Sequence, residues 1–301
     1  EPISGAMLQI EGNSEFKVGG AQKLAQALAW TVEEALQSAR LPLPLPAKVP
    51  LLFLGDATRP APLVEVAQFC HGACGHYFDA PERLHLQAFT GGEAACVDAL
   101  QAARGFIAQG APYVLIAASD TWLRTQDITH GLRHERLLTS VSSHGFVPGE
   151  AAAAVLVGPD TGAPGLVIQG LGLAEELATR LEGEPAYGKG LSQAMRAALA
   201  EAGWNPHELN LRISDAAGEG YFAEELSYAW ARVLRDPLPE NNDRLFPATA
   251  LGHIGCAFGP LMLALAWQLR RRRRLPGPKL LLQLSSSHTL RGAIAAHAGA
   301  A

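Results

Sequence analysis

One segment limits the folds open to this chain more than any other. The residue spacing predicts a helix over 92–109 whose apolar residues cover most of its circumference. A helix of that kind is buried on nearly every side. Apolar runs bounded by turn residues follow at 113–119 and 152–158 and predict central β-strands. The segment therefore predicts a buried helix within an α/β protein.

The second half of the chain repeats the order of strands and helices found in the first. A dense cluster of turn residues at 159–165 is the best internal boundary, which predicts halves 1–160 and 161–301 within one compact domain. We expect helices over 21–39, 65–70, 191–202, 221–234 and 255–269, strands over 51–55, 166–171, 211–214, 280–284 and 292–296, and an extended proline-rich linker over 41–50. These elements indicate an α/β protein with mixed sheets.

Composition argues against several classes of function. The net charge is −5 and the pI about 6.1, which gives no general basis for nucleic-acid binding. The longest apolar run, 256–267, is too short to span a bilayer. Four cysteines in 301 residues do not form a disulfide framework, and no signal peptide is recognisable, so we expect a cytoplasmic protein. No phosphate-binding glycine loop or dinucleotide fingerprint is present, and no cofactor is expected.

One cluster contains residue types that bind metals: Cys70, His71, Cys74 and His76. Its spacing is tighter than the separated ligand pairs of common zinc sites. We therefore predict no metal site and interpret the cluster as a surface loop beside a helix end.

Two motifs resemble a known family. The sequence at 145–151, Gly-Phe-Val-Pro-Gly-Glu-Ala, is similar to the Gly-Phe-Val-x-Gly-Glu-Gly-Ala segment of β-ketoacyl synthases. The sequence at 252–259 resembles the Gly-His-x-x-Gly-Ala-Ala-Gly motif that supplies the second active-site histidine of that family. The resemblance, within the thiolase-like superfamily, implies an α/β fold of five layers, α-β-α-β-α, built from two similar β/α halves with two central helices between two sheets.

The same resemblance implies that the catalytic residues are missing. The register places the nucleophilic cysteine of the family at Gly92, give or take one residue, and neither Gly92 nor Glu93 forms a thioester. The strand end that carries the first catalytic histidine continues here as Asp215, and of the Cys-His-His-Lys set only His253 remains. We therefore assign no catalytic residue, and treat Gly92, Glu93, Asp215 and His253 as positions of a vestigial site.

The remaining candidates for chemistry favour structural roles. Cys96 and Cys256 are predicted to be small core residues within or at the start of buried helices. His253 lacks an evident partner that would make it a general base. Glu93 stabilises a helix N-terminus through the macrodipole. The alternative interpretation is that Glu93 and His253 retain a decarboxylase activity, although a charged glutamate would repel a malonyl carboxylate.

The leading hypothesis is a non-catalytic, pseudoenzyme-type protein that acts through protein–protein contacts. The resemblance implies two kinds of partner: an active synthase subunit or its acyl carrier protein, as for a chain-length factor, or a type VI secretion effector, for which this protein would be an adaptor or co-chaperone. It also implies a homodimer formed through residues 84–88. Residues 270–274 are five arginines that we interpret as a solvated helix end, or alternatively as a contact for an acidic partner.

Two other hypotheses stay open. One is an active acyltransferase of the 3-oxoacyl-(acyl carrier protein) synthase type, a decarboxylase or a thioesterase that uses a non-standard site. The other is a binder of acyl-CoA or of acyl carrier protein in the former substrate tunnel.

Overall fold

Two β-sheets organise the part of the chain that a computed structural model describes, residues 3–8, 20–45, 49–59, 66–79, 84–234, 236 and 242–299. The first sheet contains β1 (Leu51–Leu54), β2 (Leu86–Phe89), β3 (Val114–Thr121) and β4 (Glu150–Val157), in the spatial order β2-β1-β3-β4. The second contains β5 (Leu166–Glu175), β6 (Leu211–Ser214), β7 (Asp243–Leu245), β8 (Lys279–Ser285) and β9 (Leu290–Ala298), in the order β5-β9-β8-β6-β7.

The helices of the described residues lie mainly in three layers. In chain order they are α1 (Ala21–Ala39), α2 (Val66–Cys74), α3 (Ala95–Ala108), α4 (Thr125–Arg133), α5 (Lys189–Ala202), α6 (Gly220–Val233), α7 (Ala248–Leu251) and α8 (Phe258–Arg271). α1 and α2 cover the outer face of the first sheet, and α5 and α6 cover the outer face of the second. α3 and α8 lie between the two sheets.

The strand residues alternate between the layers, as the period of two in a β-strand requires. In β1, Leu52 and Leu54 face the central helices, while Leu51 and Phe53 face α1 and α2. In β8, Leu281 faces α5 and α6 and its neighbours face the central helices. Both faces of each sheet are therefore buried, and the predicted five-layer α/β architecture is confirmed.

The central helix α3 differs from its prediction in two respects. A 3-10 turn, Gly92–Ala94, precedes it, and one side of the helix is not buried, since Asp98, Gln101, Arg104 and Gly105 are exposed. Three further elements, α4, α7 and β7, have no counterpart among the predicted ones, and β5 extends four residues past its predicted end at Leu171. The turn cluster at 159–165 connects the first sheet to the second, and the division into halves at 160/161 stays a prediction.

The predicted surface loop at Cys70 and Cys74 is wrong. Both residues lie on α2 with fully buried side chains that pack against the outer face of the first sheet. No group of three potential metal ligands occurs in the described ranges. Within those ranges, no helix combines the length and apolarity needed to cross a membrane. Glu65 and residues 46–48, for which we predicted helix and linker, lie outside the described residues.

Candidate functional site

Gly92 begins the 3-10 turn that leads from β2 into the central helix. Its backbone is left-handed, with φ of +69°, a conformation that glycine adopts without cost. A Cβ at this position would lie 3.0 Å from Ser286 Oγ and 3.3 Å from His288 Nε2. Ser286 Oγ donates to Gly91 O at 2.7 Å and accepts from Ala94 N at 3.0 Å. Ser286, in the loop after β8, therefore closes the helix N-terminus and fills the space beside Gly92.

The two motifs that carry the family resemblance contact each other. His253 N donates to Val147 O at 2.7 Å, and Gly149 N donates to His253 O at 3.0 Å. Gly252 has φ of +68°, and a Cβ there would lie 2.5 Å from Val147 O. The glycine therefore permits the close backbone approach that holds His253 in place.

The His253 side chain is buried and neutral. Its ring packs against Trp122, Phe146 and Phe258, with centroid distances of 5.2, 4.5 and 5.6 Å. Burial and the positive charges of Arg136 and Arg59 lower its pKa well below the usual value. Nδ1 accepts the N–H of Gly255 at 3.2 Å, so the neutral ring carries its proton on Nε2.

Glu93 and Asp215 are buried carboxyl groups that hold protons near neutral pH. Burial, with the charges of Asp56 and Asp215, raises the pKa of Glu93 to about 8. Burial also raises the pKa of Asp215 to about 7, although Asp215 accepts the N–H of Ser285 at 2.8 Å. Glu93 Oε1 lies 3.6 Å from His253 Nε2, beyond a good hydrogen bond, and Glu93 Oε2 has no partner in the described part of the chain.

Two buried arginines lie beside the cluster of Glu93 and His253, and sequence reasoning missed both. Arg136 donates to both carboxylate oxygens of Glu219 at 2.9 Å, and Arg59 pairs with Asp120. Both guanidinium groups stack on Trp122, at 4.3 Å for Arg59 and 5.1 Å for Arg136. Neither arginine belongs to a recognisable motif, and their partners are 61 and 83 residues away in sequence, so no local signal identifies them.

None of the four cysteines has the properties of a nucleophile. All four are free and buried, and burial raises the pKa of each thiol, to about 12 for Cys96 and Cys74. Cys96 lies against Gly259 of α8, and Cys256 lies beside Asp120 and Glu93, whose charges add to the effect of burial. The predictions that Cys96 and Cys256 are core residues are confirmed.

The structure thus brings Gly92, Glu93, Asp215 and His253 to one place, at the head of α3 between the two sheets. Glu93 and His253 are 2% and 5% exposed. Two cavities of the described structure lie elsewhere, one against α6 and the other beside Arg270, and none of the four positions lines either cavity.

Solved structures with the same architecture identify the fold. A β-ketoacyl synthase from Burkholderia phymatum STM815 matches with a TM-score of 0.72 and 14% identity, over 98% of this chain and 88% of that one. A chain of the type II polyketide complex AntDE:AntF, an acyl carrier protein with its ketosynthase, matches with a TM-score of 0.69 and 15% identity, over 93% and 86%. A chain of the complex of the ketosynthase ApeO with its chain length factor ApeC from Xenorhabdus doucetiae gives 0.62 and 14%, over 92% and 84%.

The fold is thiolase-like, of the β-ketoacyl synthase type. No protein-family model and no curated protein matches the sequence. At these identities the likeness establishes the thiolase-like fold alone, and the chemistry has to be inferred from the residues present.

Proposed function

We propose that this thiolase-like protein transfers no acyl group at its central site and acts instead as a binding partner of another protein. One observation carries the proposal. The residue at the head of the central helix is glycine, and every cysteine of the chain is buried with a raised thiol pKa. Acyl transfer through a thioester needs an accessible thiolate, and none is present.

Thiol labelling tests this proposal directly. The folded protein is incubated at pH 7.5 with a chloroacetyl thioester, a substrate-like electrophile, and its intact mass is measured. We expect no adduct on the folded chain and up to four adducts after unfolding in urea, because the chain has four cysteines. A single stoichiometric adduct on the folded protein would contradict the proposal.

Two separate features could contact a protein partner: the open edge of the first sheet, which a second copy of the chain could also use, and a basic helix end. β2 is the edge strand of the first sheet, and its Gln87 and Ala88 are exposed. Arg271–Arg274 are exposed at the end of α8, whereas Arg270 is buried and donates to Gly299 O, so the predicted solvated helix end begins one residue later. Two of the matching structures are complexes with an acyl carrier protein or a chain length factor, which supports a partner of that class.

Co-expression with the products of neighbouring genes tests the identity of the partner. We infer a ketosynthase-type subunit or a type VI secretion effector, for which this protein would act as an adaptor. A 1:1 complex that survives size-exclusion chromatography identifies the partner. Replacing Arg271–Arg274 with glutamine should weaken the complex if an acidic surface binds there.

A residual decarboxylase is the second candidate, and one observation favours it. Because the pKa of Glu93 is raised to about 8, this carboxyl group is mostly neutral at pH 7, and the expected repulsion of a malonyl carboxylate is reduced. Release of CO2 from malonyl-CoA by the protein, lost in His253→Ala and retained in the half-buried control His207→Ala, which lies outside the site, would establish this activity. The burial of Glu93 and His253 favours the binding role.

A further inference from the structure

A second concave site lies on the other side of the C-terminal sheet, between that sheet and α6. The cavity has a volume of about 130 Å³. Its polar lining includes Arg212 and Ser214 of β6 and Arg244 of β7, and its apolar lining includes Leu226, Trp230 and Phe246. An engineered apolar cavity of about 150 Å³ accepts benzene, so this cavity suits a ligand of about six non-hydrogen atoms.

The two arginines stand directly opposite each other on neighbouring strands. Arg212 and Arg244 are register partners in the parallel pairing of β6 with β7. Like charges in this arrangement repel each other, and within the described ranges neither guanidinium forms an ion pair with a carboxylate. The protein therefore maintains two adjacent positive charges without an internal counter-ion in its described part.

The Arg212 guanidinium is held in place but, within the part of the chain that the structure describes, lacks a hydrogen-bond partner for one of its N–H groups. Its guanidinium stacks on Trp230 at 4.5 Å from the ring centroid. Its Nε is buried and has no hydrogen-bond partner among the described residues. Burial and the charge of Arg244 lower its pKa to about 10, so Arg212 stays charged at neutral pH. A buried donor without a partner costs free energy, and an anion in the cavity would remove that cost.

We propose that this cavity binds a small organic carboxylate. The planar fork of a guanidinium matches the two oxygens of a carboxylate, and a second arginine beside it adds charge. The leucine and aromatic walls provide an apolar surface for a short hydrocarbon tail, which inorganic phosphate lacks. Butyrate, which has four carbons including that of its carboxylate and two oxygens, has six non-hydrogen atoms and matches the volume.

The test titrates the full chain with butyrate and follows the Nε–H signal of Arg212 by ¹⁵N-edited NMR. We expect a saturable shift with a Kd of about 1 mM, a value within reach of a ligand this small. Butyramide, of equal size but uncharged, should bind at least about tenfold more weakly because it lacks the charge that the arginines recognise. Inorganic phosphate, which lacks the tail, should also bind more weakly.

Two variants and a matched control complete the experiment. Arg244→Gln, at an exposed edge position, should raise the Kd for butyrate about tenfold. Arg212→Gln should do so at least as strongly, with binding followed through the indole N–H signal of Trp230, which lines the same cavity. Arg271→Gln makes the same charge change on the exposed end of α8 and should leave the Kd unchanged. A shift that does not saturate, equal binding of butyramide, tighter binding of phosphate, or an unchanged Kd in Arg244→Gln would each overturn the proposal.

Discussion

Gly92 lies where the family resemblance predicts a nucleophilic cysteine, and more than one residue is unsuited to a thiol there. A thiol at this position needs a side chain on a left-handed backbone and space now occupied by Ser286 and His288. The family resemblance assigns the nucleophile to this position. It also implies a Gly-Phe-Gly-Gly-x-Asn loop near the C-terminus, in place of which residues 284–288, including Ser286, stand here. The two departures therefore support each other, because the serine that fills the space also bonds the backbone on both sides of Gly92.

The first prediction separates backbone strain from crowding at this glycine. Gly92→Ala should lower the free energy of unfolding by about 2–3 kcal/mol, through the left-handed conformation and contact with Ser286. Gly162, with φ of +70° and no atom within 4 Å of its would-be Cβ, is the matched control. Gly162→Ala should cost about 1 kcal/mol from conformation alone. Urea denaturation measures the free energy of unfolding of both variants. Equal losses of stability would contradict the predicted crowding of a side chain at Gly92.

The second prediction concerns the proton on Glu93. The folded protein keeps this proton up to about pH 8, whereas an unfolded glutamate releases it near pH 4.5. Since the native state then binds more protons than the unfolded state, stability falls as pH rises from about 4.5 to 8. Each retained proton contributes a slope of about 1.4 kcal/mol per pH unit.

Glu93→Gln removes this titration and should flatten the dependence of stability on pH, so that the variant is more stable than the parent protein at pH 9. Glu184→Gln, at an exposed position, should leave the slope unchanged. Chemical denaturation at pH 5, 7 and 9 provides the measurement. A parent protein whose stability rises over this range would argue against a protonated Glu93.

At this scale the sequence identifies only part of the site. His253 lies within a motif and Glu93 lies next to the position that the resemblance assigns to the nucleophile, so the two are predictable as neighbours through the resemblance. Arg136 and Arg59 are not, because a single arginine carries no periodic or spacing signal and its burial depends on distant partners. The protonation of Glu93 is equally hidden, since it depends on the complete enclosure of the carboxyl group.

At the scale of elements, the contact between α3 and α8 determines the spacing of the central layer. Gly259 of α8 lies against Cys96 of α3, and the Cys96 Sγ would be 2.7 Å from a Cβ at Gly259. Glycine at this point allows the two helices to approach more closely than any larger residue would permit. The buried thiol fills the remaining space, which gives Cys96 a packing role.

The third prediction tests this contact. Gly259→Ala should destabilise the protein by about 3 kcal/mol, because the added methyl group overlaps the side chain of Cys96. Gly105→Ala, on the exposed side of α3 with nothing within 4 Å, should instead stabilise the protein by about 0.5–1 kcal/mol through helix propensity. Thermal and urea unfolding distinguish the two, and a neutral Gly259→Ala would show that the helices separate easily.

Elements that carry an apolar run, or apolar residues at the spacing of a helix or strand, are predictable from this sequence. Elements that lack such a pattern are not. β3 is buried along its whole length and begins with the apolar residues 114–118, and α3 carries small and apolar residues on the side that it buries. α4 is polar on average, and β7 has only three residues with two exposed, so both lack that signal. The burial of Cys70 and Cys74 was missed because a short helix with small residues resembles a loop in composition.

At the scale of the whole molecule, the first sheet has an unprotected edge. β2 pairs with β1 on one side, and on the other side no described strand pairs with it. An open edge presents unpaired backbone N–H and C=O groups, and pairing with the same edge of a second copy satisfies them. This edge supports the homodimer implied by the family resemblance, which stays a prediction.

The fourth prediction tests the dimer. The protein should sediment at twice the monomer mass of 31.8 kDa, and Ala88→Arg on the exposed edge should shift it toward the monomer by placing two like charges near the two-fold axis. Ala163→Arg, in the exposed turn between the sheets, adds the same charge elsewhere and should leave the dimer intact. Sedimentation velocity at several concentrations measures the result, and a monomeric parent protein would contradict the prediction.

The strand order of the second sheet has a consequence for biosynthesis. β5 and β6 leave the ribosome early, yet β9 and β8 lie between them and are translated after every other strand of that sheet. In the described structure β5 pairs only with β9, so its backbone has no partner until residues 290–298 emerge. The nascent chain therefore holds an unpaired, partly apolar strand through more than a hundred codons, which makes a holdase chaperone that shields β5 during translation valuable to this protein.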